Sequence, residues 1–232
     1  MHDGYVSTSL HPLYRAAQRR HPEILFQGDG SSPRIALTFD DGPHPQDTPR
    51  LLEVLERHRV RATFHLVGKS VEHHPDLVQQ IHQHGHQLAL HCYRHIPFPL
   101  EKQITLHTEL VRSQNAIAYA AGIFPAAVRD LRPPYGLFTE RNLSQLMEWG
   151  FRLVMWSCIP PHWMQPVSWS IRQITESAIP GAVIVLHDGH GHGRRVAEIV
   201  DAIVPRIRAL GLDFITVEEM QAQRDKETTL RK

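Results

Sequence analysis

The sequence predicts an α/β fold in which crossover helices connect the strands of a mainly parallel sheet. Short apolar segments alternate with longer amphipathic ones along the 232 residues, a pattern typical of repeated strand and helix pairs. Four glycines, Gly85, Gly150, Gly181 and Gly211, stand just before predicted strands, where a helix ending in a left-handed residue favours glycine. No break in composition divides the chain, so we expect one domain.

The first four strand and helix pairs run from residue 34 to residue 149. Residues 34–39 form an apolar run, and Leu51, Leu52 and Leu55 then share one face of a helix between residues 47 and 58. The same alternation predicts strands at 61–67, 86–91 and 128–131, followed by helices at 71–84, 101–121 and 139–149.

Three further pairs complete the pattern. The predicted strands are 151–157, 182–186 and 213–217, followed by helices near 169–178 and 195–210 and by a short last helix. Seven pairs of this kind form either an open doubly wound sheet or a closed barrel. We expect residues 1–33 to be an extension with a helix at 10–26 and a turn at 28–33, residues 34–220 to be the main domain, and residues 221–232 to be a polar tail.

Composition and charge are those of an ordinary folded protein. Lys and Arg number 25 and Asp and Glu 24, which gives a net charge of +1, and 41% of the residues are hydrophobic. This balance excludes a mainly disordered chain. It also argues against a nucleic-acid partner, because proteins that bind phosphate backbones usually carry a basic excess. The 18 histidines give an unusual capacity for metal binding.

The start of the chain and its cysteines bear on localisation. Residues 1–20 lack the apolar centre of a secretory signal, and the longest hydrophobic run, residues 116–121, is too short to span a membrane. As written, this start of the chain leads us to expect a cytoplasmic protein. Cys92 and Cys158 follow no metal-binding or disulfide pattern, although one bridge between them stays open. The oligomeric state is not predicted.

Conspicuous polar residues follow the predicted strands. Asp40 and Asp41 follow the first strand, and later strands are followed by the pairs His91 and His95, Arg132 and Tyr135, and His187 and Asp188. Because the carboxyl ends of parallel strands form the ligand-binding face, we expect these groups to converge.

Three of these residues make a plausible metal site. Asp41, His91 and His95 supply one oxygen and two imidazole nitrogens, a set suited to zinc or a similar divalent ion. Three protein ligands leave a position for water, which is typical of a catalytic site. His91 and His95 either lie on one helical turn or follow a strand in a loop, and a chance pair is the alternative in so histidine-rich a chain.

The other histidines are interpreted more plainly. His73, His74, His82, His84 and His86 follow no compact ligand pattern, so we expect most of them to be solvated. His190 and His192 stand in an exposed glycine-rich loop, a lid or an adventitious metal binder. A histidine-rich metal-binding protein is therefore a rival hypothesis, which several weakly bound ions per chain would support.

The ordered motifs resemble those of the polysaccharide deacetylases of carbohydrate esterase family four. The matching segments are residues 38–43 (TFDDGP), 91–95 (HCYRH), 132–136 (RPPYG) and 184–187 (IVLH). The resemblance covers about residues 34–217. It implies a distorted (β/α) barrel with fewer than eight units, which agrees with the seven pairs counted above.

The resemblance also implies how the catalytic chemistry is divided. Asp41, His91 and His95 would hold one divalent ion, most simply zinc, with cobalt as another candidate. Asp40 would be the general base and His187 the general acid. The metal would lower the pKa of bound water, which attacks the acetyl carbonyl while Asp40 takes its proton.

The remaining site residues are also assigned by resemblance. Arg132 would pair with Asp40 and orient it, and the backbone N–H of Tyr135 would help to bind the oxyanion. Trp163, together with Trp156, would wall the acetyl pocket. The alternatives are an ordinary ion pair for Arg132 and core aromatics for the tryptophans.

Two segments depart from the family pattern. Cys92 stands where Ser or Thr is usual, and Ile159 and His162 replace two aspartates. A carboxylate beside a histidine raises its pKa and orients its ring, so His187 loses this support unless Asp188 supplies it. We therefore expect a slow enzyme, an altered substrate preference or a lower pH optimum.

The predicted function is metal-dependent removal of acetyl groups from N-acetylglucosamine units of a chitin-like or peptidoglycan-like glycan. An O-acetyl esterase of the acetyl-xylan type and a catalytically weak glycan-binding descendant are the alternatives. Asp40 and His187 argue against binding alone, which needs neither a base nor an acid. A glycan substrate would favour the cell envelope or the exterior, in contrast to the unmarked start of the chain.

Overall fold

A computed structural model of the protein describes residues 16, 18–189, 191 and 193–230, and the side chains up to residue 226. Within this part of the chain, seven strands form one parallel sheet in the order β5-β4-β3-β2-β1-β6, with β7 added beside β1. The strands are β1 (Arg34–Asp40), β2 (Thr63–Val67), β3 (Gln87–Cys92), β4 (Asp130–Leu131), β5 (Arg152–Leu153), β6 (Val183–His187) and β7 (Asp213–Ile215).

Every strand is followed by a helix, which confirms the α/β class and the distorted (β/α)7 barrel. The helices are α1 (Asp47–His58), α2 (Gly68–His73), α3 (Pro75–Gln83), α4 (Gln103–Ala121), α5 (Glu140–Glu148), α6 (Val167–Ser177), α7 (Val196–Ala209) and α8 (Val217–Leu230). The four glycines expected before strands all have positive φ, between 76° and 84°. The left-handed backbone there ends one helix and turns the chain toward the next strand.

Irregular segments close the barrel where the regular ladder stops. Val154, just after β5, forms an isolated parallel bridge with Leu25, and Cys158 forms another with Ile184 of β6. The chain between these bridges therefore connects the β5 edge of the sheet to the β6 edge. This explains why the strand expected at 151–157 is regular only at Arg152–Leu153.

The structure divides the helix expected at 71–84 into α2 and α3. His74 lies between them with φ −135° and ψ 56°, outside the helical region, and Pro75 begins α3. Proline disfavours the helical conformation of the residue before it. The hydrophobic period continues across this break, so periodicity alone does not reveal it.

Part of the helix expected at 10–26 is irregular instead: residues 21–26 form a turn and one isolated bridge, at Leu25. Residues 1–15 and 17 lie outside the described part of the chain, and residues 18–20 are helical. Pro22 follows and disfavours helix at the residue before it. After the exposed Glu23, the residues Ile24, Leu25 and Phe26 are buried against the barrel. The last helix, α8, is also longer than expected. The residues beyond Met220 are polar and show no apolar period, so the sequence pattern does not predict that the helix continues there.

The core fills the barrel and the space between the sheet and its helices. The rings of Phe39 in β1 and Phe64 in β2 lie 5.0 Å apart, and α1 packs beside α7 on the outside. Both cysteines are buried and free, so the bridge left open above is absent. A rigid apolar support of this kind holds the strand ends, where the polar residues collect, in fixed positions.

Candidate active site

The strand register brings the conspicuous polar residues to one end of the barrel. Asp40 ends β1 and pairs directly with His187, the last residue of β6, and with His65 of β2 on its other side. His91 lies near the end of β3, and Arg132 follows β4 directly. The expected convergence at the carboxyl ends of the strands is therefore present.

Arg132 is fully buried and is held by neutral acceptors as well as by Asp40. Its Nη1 donates to Asp40 Oδ1 at 2.6 Å and to Thr38 Oγ1 at 2.8 Å. Its Nε donates to the carbonyl of Val154 and its Nη2 to that of Met155. Five hydrogen-bond donors in a planar fork suit such a site, so the guanidinium has one orientation and fixes that of Asp40.

The electrostatics keep Asp40 ionised. Burial alone would raise the pKa of this carboxyl group, but the guanidinium of Arg132, supported by His91, His65 and His187, holds it below its usual value. An ionised carboxylate can accept a proton, which is the first requirement of a general base.

Asp41, His91 and His95 converge on one point. Asp41 Oδ1 lies 3.3 Å from His91 Nε2 and 3.1 Å from His95 Nε2, and the two nitrogens are 3.2 Å apart. Ligand atoms bound to one zinc ion at 2.0–2.1 Å with tetrahedral angles lie about 3.3 Å from each other. The three atoms therefore fit three corners of a tetrahedral zinc site, and in the described part of the chain no other group of this kind is found.

The local backbone explains how these ligands are presented. Consecutive side chains of a strand point to opposite faces, but Asp41 has φ 74°, and this left-handed backbone ends the alternation after Asp40. Gly189 packs so closely that a Cβ there would lie 2.1 Å from the carbonyl oxygen of Asp41. Of the two arrangements considered for the histidines, the loop is the observed one: His91 is the last residue but one of β3, and His95 follows in a loop.

A hydrogen bond selects the nitrogen that His91 offers. Its Nδ1 lies 2.8 Å from the carbonyl oxygen of Arg132, which can only accept, so Nδ1 carries a proton and Nε2 keeps its lone pair. Burial alone would lower the pKa of His91, but the carboxylates of Asp40 and Asp41 raise it. The same two carboxylates would also attract a metal ion. A metal ion at Nε2 of His91 would therefore compete with a proton for that nitrogen.

His187 lies beside a second histidine instead of a carboxylate. His162 Nε2 lies 3.0 Å from the backbone nitrogen of His187 and 3.2 Å from its Nδ1. Asp188, considered above as a substitute, is turned the other way: its Oδ2 accepts from Thr48 Oγ1 at 2.5 Å, and its side chain packs against Gly42. Asp188 therefore supports the loop after β1 and not His187.

The aromatic residues divide into two groups. Trp163 is 40% exposed, and its ring centroid lies 4.8 Å from that of His187, with the two rings nearly perpendicular. Tyr135 is 63% exposed, and its ring centroid lies 4.7 Å from that of His95. Both border the candidate site. Trp156 instead lies over the guanidinium of Arg132. Tyr135 has φ 59°, a left-handed backbone in a tight turn. The N–H groups of the two residues that follow it, Gly136 and Leu137, donate within this turn to the carbonyls of Pro133 and Pro134.

Some functional neighbours lie beyond the sequence prediction. Thr38 bonds Arg132, and its place two residues before Asp40 on the same face of β1 is the available signal. His65 is fully buried, with Nδ1 3.2 Å from the carbonyl oxygen of Leu90, and no motif marks it.

Among the other histidines, His86 alone of the 73–86 group is buried, and His190 and His192 lie outside the described residues. The described helices include none long and apolar enough to cross a membrane.

Comparison with known sequences identifies relatives of this architecture. The polysaccharide deacetylase family model matches residues 27–154. A chitooligosaccharide deacetylase from Bradyrhizobium sp. is 37% identical over 169 residues, which are 72% of this chain and 76% of that protein. A peptidoglycan-N-acetylglucosamine deacetylase from Listeria monocytogenes is 28% identical over 94% of this chain. The match spans 45% of that protein, about half of its length.

Solved structures agree in fold. A peptidoglycan N-acetylglucosamine deacetylase, crystallised with 4-naphthalen-1-yl-N-oxidanyl-benzamide, has a TM-score of 0.83 and 29% identity over 88% of this chain and 95% of that one. A pseudoenzyme of carbohydrate esterase family four from Bacillus anthracis has a TM-score of 0.76 and 21% identity over 84% and 67% of the two chains. The fold by itself therefore does not establish catalysis, which has to be argued from the side chains.

Proposed function

This chain belongs to the polysaccharide deacetylase family, and from that premise we propose that it is a metal-dependent hydrolase that removes acetyl groups from N-acetylglucosamine units of a glycan. One observation carries the proposal. A buried, ionised carboxylate (Asp40), a three-residue metal-ligand set and a histidine (His187) meet at one end of the barrel.

Each group has a defined task in this reaction. Asp41, His91 and His95 would hold a divalent ion, which would supply Lewis acidity toward water and a carbonyl oxygen. Asp40 accepts a proton at its carboxylate from the attacking water, and Arg132 keeps that carboxylate ionised and oriented.

The second half of the reaction needs an acid and a donor for the oxyanion. His187 donates a proton from its ring to the departing nitrogen, without which the C–N bond breaks poorly. The backbone N–H of Tyr135 donates to the developing oxyanion, and Trp163 covers the acetyl group beside His187. The products are acetate and a glycan with a free amine.

Ester hydrolysis is the second candidate, and the His162–His187 pair favours it. An alkoxide leaves more readily than an amide nitrogen, so an ester depends less on a strong general acid. A site in which His162, and not a carboxylate, contacts Nδ1 of His187 is thus adequate for O-acetyl groups.

Acetate release tests the proposal. Purified protein is stripped with a chelator, restored with zinc or cobalt, and incubated with N-acetylated chitooligosaccharides, peptidoglycan fragments and acetylated xylan. We expect metal-dependent release that Asp40→Asn abolishes, whereas Asp29→Asn, an exposed residue, leaves it unchanged. Release from xylan alone would identify the esterase, and no release with one bound ion would contradict catalysis.

A further inference from the structure

We propose that His162 is a positioning residue that orients His187 through a neutral imidazole, where a carboxylate would otherwise stand. The proposal rests on the proposed function, in which His187 is the general acid. His162 is 3% exposed, so its ring is enclosed by the protein at the point where it meets His187.

The first hydrogen bond fixes the protonation state of His162. The backbone N–H of His187 lies 3.0 Å from His162 Nε2, and a backbone N–H can only donate. Nε2 must therefore offer a lone pair. A protonated imidazole has no lone pair on either nitrogen, so His162 is neutral and carries its one ring proton on Nδ1.

The second contact then fixes the tautomer of His187. Its Nδ1 lies 3.2 Å from the same Nε2 of His162. Since Nε2 of His162 already acts as an acceptor, the proton of this bond belongs to Nδ1 of His187. Nε2 of His187 is left as the atom that gains and loses a proton, which a general acid requires at the face of the substrate.

The loop that carries His162 is rigid enough to hold this geometry. Cys158 bridges to β6 at Ile184, and Pro160 and Pro161 restrict the next turn. The N–H of His162 donates to the carbonyl of Pro160 at 2.8 Å. The ring is thus anchored to the same strand that ends in His187.

Two carboxylates at the end of β1 act electrostatically on His187. Asp40 and Asp41 of the β1 end interact with it, whereas Asp188, its neighbour in sequence, faces Thr48. His162 adds an acceptor without adding a negative charge. The ring of His187 is therefore oriented, but its proton is held less tightly than a carboxylate at position 162 would hold it.

Nitrogen NMR of the zinc-loaded protein tests the tautomers without any substrate. With ¹⁵N-labelled histidine, we expect His162 and neutral His187 both to carry the proton on Nδ1, with signals assigned by their loss in His162→Asn and His187→Gln. His86 is an internal reference of the opposite kind, because the N–H of Ala62 donates to its Nδ1. A proton on Nε2 of His162, or on Nε2 but not Nδ1 of neutral His187, would overturn the proposal.

Kinetics test the consequence for catalysis. In His162→Asp, we expect the alkaline limb of the kcat profile to move up by about one pH unit or more. His162→Asn keeps a neutral acceptor and should keep the limb in place, whereas His162→Ala should lower kcat by about 10–100-fold with little change in KM. An unchanged limb in a folded His162→Asp variant would count against the pairing. If no variant or wild-type protein releases acetate, the proposed function fails, and the NMR result still decides the role of His162.

Discussion

Arg132 and Asp40 form a 2.6 Å ion pair in which the guanidinium is wholly buried and the carboxylate almost so. Ion pairs taken out of water are weak evidence for stability, because desolvation opposes their attraction. Removing one partner is a different matter, since it leaves a buried charge without compensation. Their contribution to stability should therefore be strongly non-additive.

The first prediction concerns this pair. Arg132→Met should lower the free energy of unfolding by about 3–5 kcal/mol, because Asp40 stays buried and unpaired. The double variant Arg132→Met/Asp40→Asn should be less destabilised than Arg132→Met alone, since no buried charge remains. Denaturant unfolding of the wild type, Arg132→Met, Asp40→Asn and the double variant measures both effects. If the changes in the free energy of unfolding were strictly additive, the loss of stability in Arg132→Met would come from lost packing and not from the unpaired charge of Asp40.

The second prediction concerns metal binding. Metal analysis and titration calorimetry should find one tightly bound zinc ion per chain, because the described residues hold one ligand cluster. His91→Gln and His95→Gln should each weaken binding by more than about 100-fold, beyond the effect usual for residues that only support a ligand. His82→Gln, an exposed histidine outside the cluster, should bind as the wild type does. Several ions of similar affinity would instead support a metal-buffering protein.

The third prediction concerns pH and Asp188. Burial, assisted by the nearby charges of Asp41 and Asp40, raises the pKa of this carboxyl group from 3.8 to about 7. The folded protein therefore holds this proton more tightly than the unfolded chain does, so this group makes stability fall as pH rises from about 4 to 7.

Asp188→Asn should remove that component of the pH dependence. The amide can still accept from Thr48, but it does not ionise. Unfolding of metal-free protein at pH 5 and pH 8 should show a smaller loss on raising the pH in the variant than in the wild type. Asp29→Asn, at an exposed position, should keep the wild-type dependence. Equal slopes for Asp188→Asn and wild type would mean that Asp188 stays ionised in the fold.

The fourth prediction concerns the loop of Tyr135. Gly136 has φ 68°, and a Cβ at this position would lie 2.4 Å from the Trp156 ring and 3.0 Å from Met155. Gly122 has nearly the same φ, 69°, but nothing within 4 Å. Both alanine variants bear about 1–2 kcal/mol of backbone strain, whereas Gly136→Ala adds a clash that should cost about 1–3 kcal/mol more.

Activity separates the two glycine variants further. Gly136→Ala should also lower kcat, because the displaced loop carries the N–H of Tyr135, while Gly122→Ala should not. Thermal unfolding and acetate release compare them directly. Equal stability of the two variants would show that the Trp156 ring gives way at no cost.

The sequence predicts the fold well, and it also predicts which polar residues meet at the carboxyl ends of the strands, because both depend on local order along the chain. Alternating apolar segments specify parallel strands, and parallel strands bring residues such as Asp40 and His187 together at one end. The break at Pro75 and the short β5 are less predictable. The break depends on a local backbone clash between Pro75 and the residue before it. The shortness of β5 depends on bridges from the chain after it to Leu25 and Ile184, which are remote in sequence.

The direction in which a side chain points is harder to predict from the sequence than the set of residues that meet at the strand ends. Nothing local indicates that Asp188 turns to Thr48 while His187 meets His162, because the distinction arises from alternation at the end of β6 and from the loop across it. The missing carboxylate at position 162 is visible in the sequence. That a neutral ring supplies the acceptor is visible only in three dimensions.

The bridge between Leu25 and Val154 shows that the part of the chain that supports the site begins before the segment matched by the family model. The carbonyls of Val154 and Met155 bind Arg132, and Met155 is itself held by a 2.7 Å bond from its N–H to Leu25. The family match begins at residue 27, just beyond this support. A recombinant protein that begins at residue 27 and keeps the rest of the chain would thus keep every residue assigned to the reaction and lose a brace of its arginine.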